Sequence, residues 1–98
     1  MPSLFMHWQS VSYLLRSSIS RRILEVLSGS DRPLTPKEIA SSGKMSPSNI
    51  STRLIELKKF GLVECINPDD RKWRFYQITK DGGNTLKETN KINSAGKD

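Results

Sequence analysis

One cysteine, Cys65, and one histidine, His7, are all that the 98 residues offer to a disulfide or a soft metal. A lone cysteine forms no intrachain bridge, and no thiolate cluster can assemble within one chain. The fold must therefore rest on burial and hydrogen bonding. His7 has no Cys, Asp or Glu beside it to complete a ligand set, so it reads as a surface residue. Cys65, between Glu64 and Ile66, reads as a small core residue rather than a redox sensor. There is no Cys–His or Ser–His–Asp arrangement and no glycine-rich phosphate loop, and Asp69 and Asp70 sit in a turn pattern. No enzyme activity and no cofactor are expected. No stretch approaches the roughly 18 apolar residues of a membrane helix, and the start lacks a basic segment followed by an apolar run. The expectation is a cytoplasmic protein with no signal peptide and no membrane partner.

Acid is also in short supply. Lys and Arg number 16 against 10 Asp and Glu, for a formal net charge of +6. This balance favours an anionic partner, above all nucleic acid. Hydrophobic residues make up 35% and charged residues 27%, which suits one small domain with a modest core and a polar surface.

What is present is best read around Met45 to Val63, MSPSNISTRLIELKKFGLV. Ser46 stands at an N-cap position, where its hydroxyl can accept a first-turn N–H, and Pro47 suits the first helical residue. Lys58 and Lys59 complement the negative end of a helix, and Gly61 can take the left-handed conformation that closes one. Ile50, Leu54 and Leu57 form one apolar stripe, while Ser48, Asn49, Ser51, Thr52 and Arg53 line the other faces. That is the composition of a helix made to lie in a DNA groove.

The spacing of Leu4, Phe5, Trp8, Val11 and Leu15 predicts an amphipathic helix within residues 1–16, with those side chains as a dimer interface. A second helix, capped by Ser17 or Ser18, buries Ile19, Ile23, Val26 and Leu27, and Arg16, Arg21 and Arg22 near its start read as a solvated face. Arg32-Pro33-Leu34 is a short extended piece. Thr35-Pro36-Lys37-Glu38 is a capping box with proline at the first position, opening a short helix that faces Ile39 and Ala40 inward. Ser42-Gly43-Lys44 is the turn to the next helix, which makes a helix-turn-helix. Residues 62–67 and 73–79 then predict two strands around a charged turn, a β-hairpin with Arg71, Lys72 and Arg74 near its tip. Gly82-Gly83-Asn84 is poor helix sequence, so a short last helix to about Thr89 and a disordered tail over 90–98 are expected.

This order of elements resembles the winged helix-turn-helix transcriptional regulators of the MarR-like and ArsR-like kind, most of all small archaeal ones. The resemblance is carried by Thr35-Pro-Lys-Glu-Ile-Ala40, by Ser46-Pro-Ser-Asn-Ile-Ser51, by Leu54, Leu57 and Gly61-Leu62-Val63, and by Tyr76-Gln-Ile78-Thr79 with Gly82. It implies a mainly α fold with a small β-hairpin, and a DNA-binding domain over residues 17–89. It also implies a sequence-specific regulator of double-stranded DNA, a homodimer whose effector is unknown. Helix 46–60 would enter the major groove with Pro47, Ser48, Asn49, Ser51, Thr52 and Arg53 facing it. The wing, 67–74, would lie on the minor groove or backbone through Arg71, Lys72 and Arg74. The chain lacks the paired Cys or His ligands of metal-sensing members. The alternative is a winged-helix protein-interaction module or adaptor, which an exposed apolar patch on the wing would favour over cations.

Overall fold

The structure, a computed structural model, describes residues 4–95 of the chain, and the side chains of 7–94. Five helices and a two-stranded antiparallel hairpin follow in the order α1 (Leu4–Arg16), α2 (Ser18–Ser28), α3 (Pro36–Gly43), α4 (Pro47–Lys59), β1 (Val63–Cys65), β2 (Tyr76–Ile78) and α5 (Lys80–Ala95). The mainly α fold with a small hairpin is thus the observed one.

One apolar core joins these elements. Ile23, Leu24 and Leu27 of α2, Ile39 and Ala40 of α3, and Ile50, Leu54 and Leu57 of α4 meet in it with Leu14, Leu62, Val63 and Leu86. Each of the larger side chains, the leucines, isoleucines and valine, contributes roughly 1.5–3 kcal/mol by leaving water. The inward face of α2 is rotated slightly from the expected one. Leu24 is fully buried, whereas Ile19 and Val26 pack at the rim.

Local hydrogen bonds fix where the helices begin. Ser17 caps α2 by accepting the Ser20 N–H. At α3 the capping box is complete. Thr35 Oγ1 accepts from the Glu38 N–H at 3.2 Å, and Glu38 Oε1 accepts from the Thr35 N–H at 2.9 Å. Arg32 adds a 2.6 Å ion pair to the same carboxylate. Arg32 and the Thr35 N–H together hold the Glu38 carboxyl down at about 2, against an ordinary 4.5. The extended piece before this cap joins the hairpin, because Leu34 and Tyr76 exchange backbone bonds of 2.9 and 2.8 Å.

The end of α4 is closed by a left-handed Gly61, φ +75°. The Leu62 N–H reaches the Leu57 carbonyl at 3.0 Å and the Gly61 N–H reaches that of Lys58 at 3.0 Å, a Schellman closure. From there Val63 pairs with Ile78, Glu64 with Gln77 and Cys65 with Tyr76. Leu62 and Val63 are buried, with Tyr76 and Ile78 packed against them.

Two expectations are corrected at the ends of the chain. The last helix does not stop near Thr89 but runs to Ala95, and residues 96–98 lie outside those described. Its glycines mislead as propensity signals. Gly82 is buried where α5 crosses the start of the hairpin, and a Cβ there would strike the Leu62 carbonyl and come within 2.8 Å of Ile78. Packing of Thr85, Leu86 and Thr89, all buried, supplies what propensity lacks. At the other end, Val11 is not available to a partner chain, since it is 1% exposed within its own subunit. The inward stripe of α1 is Ser10, Val11 and Leu14, which leaves Trp8 and Leu15 on the outer face. Leu4 and Phe5 belong to α1, but their side chains lie outside those described.

The two neighbouring glycines of α5 should therefore respond oppositely to alanine. Gly82→Ala should lower stability by about 1–3 kcal/mol through the clash with backbone. Gly83→Ala should gain about 1 kcal/mol from helix propensity, because the added methyl would meet nothing within 4 Å. Denaturant unfolding of both variants reads the two signs, and equal effects would refute the close approach at Gly82. The depressed carboxyl of Glu38 makes a second prediction. Its ionised form stabilises the fold above pH 4.5, and this contribution is lost as pH falls towards about 2. The melting-temperature gap between the natural protein and Glu38→Gln should be widest near neutrality and close over that window; a gap independent of pH would contradict it.

Candidate nucleic-acid interface

Helix phasing decides what α4 offers to solvent. With Ile50, Leu54 and Leu57 buried, the opposite stripe at the same spacing is Ser48, Thr52, Ile55 and Lys59, all exposed. Ser46, Pro47, Asn49 and Ser51 are exposed as well. Ile55 is 61% exposed, a large aliphatic side chain at the centre of the outer face. Reading α4 only for its inward stripe misses it. The signal was its place one residue off that stripe, beside Leu54.

The start of α4 differs from expectation in one bond. Ser46 has the N-cap backbone conformation, but its hydroxyl makes no cap bond to the backbone. The Asn49 N–H is taken by the Ser46 carbonyl at 3.1 Å, and the Ser46 hydroxyl bonds that of Ser48 at 3.0 Å instead. The turn before it places the left-handed residue at Lys44, φ 54°, rather than at Gly43, which closes α3 against Val26 and Arg22.

Arg53 is the sequence-predicted site residue that the structure places least like a base reader. It is half-buried on the flank of α4, with Nη1 2.8 Å from Glu56 Oε1. The Tyr13 hydroxyl donates to the same oxygen at 2.8 Å. Tyr13 in turn takes a bond from the buried Ser20 hydroxyl at 2.7 Å, and Ser20 accepts one from Ser17 at 2.9 Å. Arg53 and Tyr13 hold the Glu56 carboxyl below the ordinary range, and burial raises the Tyr13 phenol. Tyr13 also stacks on Phe60, centroids 4.9 Å apart. The chain of bonds ties α1 and α2 to the C-terminal half of the exposed helix.

The wing loop is built by two side chains. Asp70 accepts the Lys72 and Trp73 N–H groups at 2.8 Å each, and these bonds lower its carboxyl below the ordinary value. Asn67 accepts the Phe75 N–H at 2.8 Å and donates to the Trp73 carbonyl at 2.6 Å. Arg74 Nε donates to the Asp70 carbonyl at 3.0 Å. The last backbone bond between the strands runs from the Ile66 N–H to the Phe75 carbonyl at 3.0 Å, and beyond it side-chain bonds replace the ladder, which is why the strands are shorter than their β-rich sequence predicts. Cys65 is half-buried, 3.7 Å from Asn67 Oδ1.

These parts converge. One cleft between α4 and the wing is lined by Ser51, Leu54, Ile55, Arg71, Lys72 and Arg74, together with Pro36 and Tyr76. The three wing cations and the outer face of α4 therefore share one surface. Trp8 and Leu15, by contrast, lie on α1 away from it. Among the described residues no helix is long and apolar enough to cross a membrane, and no group of three or more His, Cys, Asp or Glu could hold a metal.

A helix-turn-helix followed by a two-stranded wing defines a winged helix-turn-helix protein. Residues 17–64 match the family described as bacterial regulatory protein, arsR family. No curated protein sequence matches significantly. Among solved structures, the chain is similar to a MarR-family transcriptional regulator from Silicibacter pomeroyi (TM-score 0.70, 18% identity, 91% of this chain and 62% of that one). It is similar to the transcriptional regulator BldR from Sulfolobus solfataricus (0.69, 24%, 89% and 65%). It is also similar to wild-type ZitR of Lactococcus lactis, solved in complex with DNA (0.63, 21%, 81% and 53%). The chain thus spans less than two thirds of the length of each of these neighbours, and at such identities the likeness is one of fold.

Proposed function

We propose that this chain is a sequence-specific regulator that binds double-stranded DNA in the cytoplasm, without enzymatic activity, as a homodimer. The observation that carries the reading is the single cleft that joins the exposed face of α4 to Arg71, Lys72 and Arg74. A helix of about 10–12 Å diameter fills a major groove about 12 Å wide, and cations beside it meet the phosphate rim. The arsR match over 17–64 and the neighbouring ZitR structure, solved in complex with DNA, support DNA binding. Ser48, Asn49, Ser51, Thr52 and Pro47 face the groove, with Ile55 added as an apolar contact of the kind that reads a thymine methyl. Serines here position more than they specify.

A second reading, a protein-interaction module, draws on Trp73 and Ile66 of the wing, which are 57% and 51% exposed. Selection of bound duplexes from a random pool separates the two. The regulator should enrich a palindrome with half-sites about one helical turn apart, and enrichment of nothing would favour the module. Arg71→Ala with Lys72→Ala should weaken binding to all duplexes and flatten the salt dependence by about two contacts. An unchanged slope would remove the wing from the interface.

The dimer reading rests on Trp8 and Leu15, 54% and 38% exposed on the outer face of α1, with Ile92 of α5, 36% exposed, as a further apolar residue. Deleting α1 is a poor test because Leu14 is part of the core. Trp8→Glu with Leu15→Glu leaves the core intact and should yield monomer in sedimentation. A persisting dimer would place the interface elsewhere.

A further inference from the structure

The flank of α4 that faces away from the wing carries a second polar cleft, where the end of α1 and the start of α2 meet it. Tyr13, Arg16, Ser17, Ser18 and Arg53 line it, with Ile19 at its edge. Arg16 is exposed and has no ion-pair partner among the described residues. Arg53 binds Glu56 through Nη1 but keeps about a third of its side chain open to solvent, 35%. Glu56 is the carboxylate that faces this flank, and it is already shared between Arg53 and the Tyr13 hydroxyl. Two guanidiniums against one engaged carboxylate leave the cleft positive.

We propose that this cleft holds a phosphate of the DNA backbone, on the strand across the groove from the one that meets the wing. The inference rests on the DNA-binding reading above. A major groove is walled by two sugar–phosphate backbones, so a helix lying in it has a phosphate rim along each flank. The wing supplies cations to one flank, and this cleft supplies Arg53 and Arg16 to the other. Guanidinium matches phosphate through paired N–H donors, and serine hydroxyls commonly add to such contacts. Arg53 is then a backbone contact aimed by Glu56, which in turn is fixed by Tyr13. Its role is to set the register of α4 rather than to read a base.

Arg16 is the residue that tests this, because it is exposed and outside the core. Salt titrations of binding are compared for the natural protein, Arg16→Ala, Arg16→Lys and the wing double variant, on a selected duplex and on a random one. Arg16→Ala should weaken both duplexes alike and reduce the slope of log affinity against log salt by about one, with Arg16→Lys retaining the slope. An unchanged slope for Arg16→Ala beside a reduced slope for the wing variant overturns the cleft and leaves the DNA reading standing. A loss confined to the selected duplex overturns the phosphate role. No binding of any duplex by the natural protein overturns the DNA reading itself.

Discussion

The peptide between Gly61 and Val63 is the point on which the rest of the molecule depends. Leu62 donates its N–H to Leu57 to close α4, and its carbonyl accepts the Thr79 N–H at 3.0 Å. The Thr79 hydroxyl bonds the Gly61 carbonyl at 2.6 Å and accepts the Gly82 N–H at 2.9 Å, which starts α5. The end of α4 and the β2–α5 junction at Thr79 are thus both bonded to two adjacent residues that lead directly into β1. The left-handed turn at Gly61 sets the angle at which the wing leaves α4. The missing side chain at Gly82 lets α5 pass against the same carbonyl. If either spacing changed, the wing cations would no longer lie beside Ser51 and Ile55.

A fixed angle matters because the exposed face itself has little to hold it. Around α4 the polar side chains are short, and the wing tip has no core beneath it. Each is stiffened by local bonds to charged or amide groups. Asp70 and Asn67 gather the backbone of the wing loop, while Glu56 gathers Arg53 and Tyr13. These donors lower both carboxyls below their ordinary values, and each acid sits beside an engaged arginine that remains open to solvent, Arg53 in part and Arg74 fully. In each case an acid spends its charge on positioning, so that the net +6 is displayed from a rigid frame.

Much of this was legible from spacing alone where the determinant was local. The Thr35–Glu38 capping box, the closing role of Gly61 and the inward stripe of α4 each follow from residues within one or two turns. What spacing missed was set by partners far along the chain. Gly82 reads as a helix breaker until Leu62, some 20 positions earlier, comes to lie against it. Val11 belongs to a plausible outer stripe of α1, yet the seat of α1 on α5 rotates it inward. Arg53 lies among polar neighbours that suggest a groove reader. Its hydrogen bond to Glu56 is legible as an i, i+3 pair, but the Tyr13 hydroxyl that fixes the acid is 43 residues away.

The same long-range bond alters how specificity should be divided on the proposed reading. If Arg53 serves the backbone, the direct readers are reduced to Asn49, Thr52 and Ile55, with serines between them. Hydroxyls bond phosphates or any acceptor, and a methyl contact discriminates weakly beside a bidentate arginine. A single domain of this kind would hold DNA firmly through two basic flanks while distinguishing sequences poorly. Discrimination would then have to come from pairing two half-sites. This returns the weight to α1, whose exposed Trp8 and Leu15 lie on the helix that also anchors Glu56 through Tyr13. On the proposed reading, a shift of α1 at a dimer contact would act on Arg53 through the Tyr13 hydroxyl, so that subunit contact and grip on the groove would be coupled by a bond of 2.8 Å.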